Sequence, residues 1–169
     1  MRNTESTLVA SDDLQSTARS PLKTIVVAGL VAGAFDIGYA FIIWGLRGVT
    51  PIRIGKSIAA GLLGVEAARA GGTGTGLFGL VLHFVLMTII AAIFYIAARN
   101  IRMLVDRAVP FGIAYGLVTY GVMNYVVVPL SAIGSTGGGG PLYITITGIL
   151  VHMFLIGLPI ALITRRGLR

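Results

Sequence analysis

The stretch LFGLVLHFVLMTIIAAIFYIAA, Leu77 to Ala98, decides the fold. At ~1.5 Å rise per residue, a helix of this length crosses the ~30 Å hydrocarbon core of a bilayer. Its only ionisable side chains are His83 and Tyr95. Three more stretches read the same way: about Thr24 to Leu46, about Val109 to Leu130, and about Leu142 to Thr164. The first carries one charge, Asp36; the third carries none; the fourth has only His152.

Composition agrees with four spans. Of the 169 residues, 56% are hydrophobic and 11% charged, whereas a soluble domain carries about 25% charged residues to face water. The expected fold class is all-α: a polytopic membrane protein with four transmembrane helices in one bundle, a single domain from residue 21 to 169. That leaves no room for a separate catalytic domain. The absence of cysteine excludes disulfides, thiolate metal sites and cysteine catalysis. Neither a nucleophile–base pair nor clustered carboxylates are present, so no enzyme activity is expected.

The net charge of +7 is explained by where the basic residues fall. Arg2, Arg19, Lys23, Arg99, Arg102, Arg107, Arg165, Arg166 and Arg169 share one side of a four-span topology; Arg47, Arg53, Lys56 and Arg69 lie on the other. By the positive-inside rule both termini are expected in the cytoplasm. Scattered around helix ends, these residues form no nucleic-acid-binding stripe. Residues 1–20 are polar and lack the short basic region of a cleavable leader. They read as a disordered cytoplasmic tail before an uncleaved first span.

The outer loop, Arg47 to Gly76, holds an amphipathic pattern. Ile54, Ile58, Leu62 and Val65 share one helical face, with Arg53, Lys56 and Ser57 opposite. Pro51 suits the first turn, and the segment reads as an interfacial helix or a short re-entrant one. Glu66 and Arg69 are spaced as an ion pair.

Glycine is abundant, at 24 residues. Gly74-Thr75-Gly76-Leu77-Phe78-Gly79 matches the dinucleotide fingerprint in letters only, because it opens a span and follows no strand. Gly137 to Gly140 form an uncharged loop without a phosphate-binding lysine. Within the spans, Gly29-x3-Gly33 and Gly112-x3-Gly116 mark close helix packing, within the monomer or in a homo-oligomer. Pro129 and Pro159 are expected to kink their helices and free carbonyls.

Each span contributes one strongly polar residue: Asp36, His83, Asn124 and His152. At ~1.5 Å per residue, all four lie ~9–15 Å below the outer boundary. Such residues are costly in lipid and normally face a bundle interior, so a shared polar layer is expected there. It could serve as interhelical glue or as a ligand or proton site. His83 and His152 could also be axial ligands of haem b, or hold a divalent cation with Asp36. A faint repeat accompanies the layer. Gly79-Leu80-Val81-Leu82-His83 parallels Gly148-Ile149-Leu150-Val151-His152, and Gly29-Leu30-Val31 parallels Gly116-Leu117-Val118.

His83-Phe84, Asn124-x4-Pro129-Leu130 and His152-Met153, in spans two to four, resemble the YagU-like proteins. Those are bacterial inner-membrane proteins without an established biochemical activity. The resemblance implies a bacterial plasma-membrane location and a helical bundle, and it implies no substrate. Asp36 and the outer amphipathic helix lie outside it.

Overall fold

A computed structural model describes residues 20–134 and 141–169. The proposed tail through Arg19 and the Gly137–Gly140 loop lie outside the described residues. In chain order the helices are α1 (Pro21–Gly45), α2 (Pro51–Leu63), α3 (Val65–Ala70), α4 (Thr73–Asn100), α5 (Arg102–Asp106), α6 (Ala108–Leu130) and α7 (Leu142–Leu168). Helices α1, α4, α6 and α7 are each long and apolar enough to cross a membrane. The chain is therefore an all-α, multi-pass membrane protein. Helices α1 and α6 run one way through the bundle, α4 and α7 the other.

The core lies at the end of the bundle where α1 begins and α7 ends. There Ala28 and Ala32 of α1 meet Met87, Ala91, Phe94 and Ala98 of α4, and Ile156, Ile160 and Ala161 of α7. Val105 and Ala108 close the cluster from α5 and α6. Alanines on α1 let the larger α4 and α7 side chains fill the space between backbones. At the opposite end packing thins out: no residue of α6 beyond Thr119, and none of α7 before Val151, is buried.

Glycines set how closely the helices cross. On α1, a Cβ at Gly29 would lie 2.6 Å from Thr88 Cα of α4, and one at Gly33 would lie 2.8 Å from the Phe84 ring. On α6, a Cβ at Gly112 would lie 3.0 Å from Leu158 Cα, and one at Gly116 would lie 2.6 Å from Met153 Cα, both of α7. Both Gly-x3-Gly pairs are thus packing faces used within the protomer. Tyr115 adds a cross-link from α6, donating to the Ile90 carbonyl of α4 at 2.7 Å.

The amphipathic helix of the long loop is α2. Thr50 caps it, its hydroxyl accepting from the Arg53 amide at 3.4 Å, and Pro51 occupies the first turn. It stops at Gly64, whose φ of 81° lies in the left-handed region that glycine tolerates. Its buried face differs from the expected one. Ile54, Gly55, Ala59 and Ala60 are buried, whereas Leu62 is 62% exposed and Val65 starts the next helix. The reason is backbone contact: a Cβ at Gly79 would collide with the Gly55 carbonyl. Small residues, rather than branched ones, decide which face docks on α4. The expected Glu66–Arg69 ion pair is not formed; Lys56 Nζ instead donates to the Arg69 carbonyl at 3.3 Å.

The prolines act through helix widening. Met123–Val127 of α6 and His152–Gly157 of α7 are π-helical, each ending two residues before a proline, Pro129 or Pro159. Proline cannot donate to the carbonyl four residues back and its ring crowds that oxygen. A π turn lets the following amide serve it instead.

Candidate intramembrane polar site

The α1–α4 crossing places a histidine against a carboxylate. Gly33 lets α1 approach so closely that His83 Nε2 of α4 lies 3.1 Å from the Gly33 carbonyl. A carbonyl only accepts, so Nε2 carries the hydrogen. Asp36 stands one helical turn along the same α1 face, and its Oδ2 is 4.0 Å from His83 Nε2. The His83 side chain is 10% exposed and that of Asp36 24%, so the imidazole is enclosed while the carboxylate keeps an open side. The ring of Phe84 meets His83 edge-on at 5.3 Å.

His152 lies on α7, the helix joined to α1 through the Tyr39–Thr147 hydrogen bond. Its Nδ1 donates to the Gly148 carbonyl one turn earlier, at 2.9 Å. In the neutral ring, Nε2 then presents a lone pair. Tyr120 of α6 packs on this imidazole, with centroids 5.2 Å apart and planes at 87°. Gly148 makes room for that ring, since a Cβ there would lie 3.2 Å from Tyr120 Cε2. One turn from Asp36, Tyr39 donates to Thr147 Oγ1 at 2.6 Å and ties α1 to α7.

The structure therefore pairs two of the four expected residues, Asp36 and His83, and carries His152 on α7, which Tyr39 ties to α1. Asn124 does not join them: it is exposed, and its amide donates to the Tyr120 carbonyl in its own helix at 2.9 Å. Counting residues locates height along an axis but not direction around it. Sequence reading also missed Tyr39, Thr147 and Tyr120. Tyr39, three residues after Asp36, was the one legible signal.

Chemically, the site is one carboxylate beside the His83 imidazole, with a second imidazole, His152, on α7; each ring has committed one N–H to a carbonyl. The remaining lone pairs can accept a proton. Among the described residues, no group of three or more metal-ligating side chains is arranged to hold a metal ion. As haem ligands through Nε2, His83 would exchange its bond to the Gly33 carbonyl for the iron, whereas the Nε2 of His152 is not the nitrogen bonded to Gly148. An apolar groove beside the site is lined by Leu30, Val81, Phe84, Val85, Thr88 and Ile89. Comparison of the chain with known protein families, curated proteins and solved structures finds no match.

Proposed function

We propose that the chain is a bacterial plasma-membrane protein whose Asp36–His83–His152 cluster reversibly binds a proton or a small polar solute without covalent chemistry. Both termini lie in the cytoplasm in this reading, because most basic residues flank that side. The cluster then sits in the outer half of the bundle. The resemblance to the YagU-like proteins points to the same membrane.

The observation that carries the proposal is the partly open Asp36 carboxylate, 4.0 Å from His83 Nε2, within a membrane-spanning helix. An ionised carboxylate is costly at that depth and is normally paired or neutralised. Two neighbouring imidazoles make both solutions available to the same group. With the Nδ1 hydrogen of His152 held by the Gly148 carbonyl, a proton enters that ring at Nε2. Loss of that proton returns a neutral ring whose orientation is unchanged.

The test is infrared and nitrogen NMR titration of the purified protein in lipid nanodiscs. One carboxyl band and one imidazole should titrate together, and Asp36→Asn should abolish both the band and the coupled imidazole shift. If neither Asp36 nor a histidine changes protonation between about pH 2.5 and 9, a range spanning ordinary Asp and His values, the proton reading is wrong. A visible spectrum of the same sample should lack a Soret band; a band lost in both His83→Ala and His152→Ala would establish haem instead.

A further inference from the structure

The two glycine crossings are built alike. Gly33 of α1 meets Phe84, the residue after His83, and Gly29 meets Thr88 one turn on. Gly116 of α6 meets Met153, the residue after His152, while Gly112 meets the Gly157 carbonyl one turn on. Each Gly-x3-Gly pair thus rides on the same turn, counted from a histidine, of the helix it packs against.

Burial follows the same register. His83-x3-Met87-x3-Ala91-x3-Tyr95 on α4 parallels His152-x3-Ile156-x3-Ile160-x3-Thr164 on α7. Met87, Ala91, Ile156 and Ile160 all enter one core, and Tyr95 and Thr164 are both buried. Four residues before each histidine stands a glycine at a close approach: Gly79 against α2, Gly148 against the Tyr120 ring. Helices α1 and α6 share one direction, α4 and α7 the other, as in a repeat rotated about the membrane normal.

We infer that the bundle is two copies of one helical hairpin, α1–α4 and α6–α7, and that Thr119 with His152 forms a second half-site equivalent to Asp36 with His83. Helices α2 and α3 are an insertion in the first copy. Packing aligns Gly29 with Gly112 and Gly33 with Gly116, one turn away from the Gly-Leu-Val match visible in the letters. Gly33-x2-Asp36 then coincides with Gly116-x2-Thr119. Thr119 is 6% exposed, on the α6 face that packs against α7.

The half-sites differ in one group, a carboxylate in the first and a hydroxyl in the second. This asymmetry leaves Asp36 as the one carboxylate of the two half-sites, the group that titrates in the proton reading above, on which this inference rests. The titratable groups around Asp36 are His83 from α4 and His152 from α7. Tyr120 of α6 lies against His152, and Tyr39 stands one turn away, bound to Thr147.

The test moves the carboxylate. In nanodiscs, Asp36→Asn should lose the titrating carboxyl, and Asp36→Asn with Thr119→Asp should regain one. The regained carboxyl should respond to His152→Gln and be indifferent to His83→Gln. A carboxyl at 119 that titrates independently of His152 would overturn the assignment. Should the double variant not fold, the milder Thr119→Asn is expected to shift the His152 imidazole resonances and leave those of His83 in place. Unchanged His152 resonances would refute the equivalence. If wild-type Asp36 titrates with neither histidine, the proton reading fails, while the Thr119→Asn measurement still judges the repeat.

Discussion

Gly116→Ala adds one methyl group at the α6–α7 crossing, and its cost follows from what that methyl strikes. The new carbon would lie 2.6 Å from both His152 C and Met153 Cα, whereas carbon atoms rest about 3.5–4.0 Å apart. These are backbone atoms that no rotamer change can remove, so the helices must part by about 1 Å. Overpacking of this kind costs about 1–3 kcal/mol, and a rigid backbone obstacle places it at about 2–3 kcal/mol. Gly121→Ala, in the same helix, is the control, because a Cβ there meets nothing within 4 Å. Both variants gain the same helix propensity, up to ~1 kcal/mol, so the difference between them isolates the clash. The assay is reversible unfolding in mixed micelles, followed through the single tryptophan, Trp44. Gly116→Ala should be less stable than Gly121→Ala by that 2–3 kcal/mol, and NMR should show His152 displaced from Tyr120. Equal unfolding midpoints would refute the close crossing, and with it the geometry of the His152 half of the site.

Two further outcomes are expected. Thr164 is 1% exposed and its hydroxyl has no hydrogen-bond partner among the described residues, so Thr164→Val should stabilise the bundle by about 1 kcal/mol, the desolvation cost of an unpaired hydroxyl. A loss of stability in the same unfolding assay would show that the hydroxyl is bonded in solution. Topology reporters fused after Arg102 and within the Gly137–Gly140 loop should report the cytoplasm and the exterior, respectively; the reverse result would invert the orientation.

The four spans were legible because bilayer thickness and the cost of charge act along one dimension, the chain. Leu77 to Ala98 could be placed by counting, and the structure adds only turns at its ends. The glycine pairs were legible too, since close approach in lipid requires a missing side chain wherever the partner lies. The docking face of α2 was not: Ile54, Ile58, Leu62 and Val65 mark an apolar stripe, but Gly55 and Gly79 permit backbone contact and rotate the helix onto its small residues. The π turns were half legible, as Pro129 and Pro159 signal lost hydrogen bonds without saying whether a helix bends or widens.

For the polar site the division is sharper. Sequence alone set the expected depths of Asp36, His83, Asn124 and His152, because helical rise is constant. It also singled out Asp36 as the one charge within the spans. Tertiary structure decided which of them meet. Gly33 draws α1 and its Asp36 onto His83, the α6–α7 crossing brings Tyr120 onto His152, and Asn124 bonds to its own helix. Depth is a property of each helix separately. Direction around the axis is fixed only when two backbones touch, and in this protein they touch at glycines.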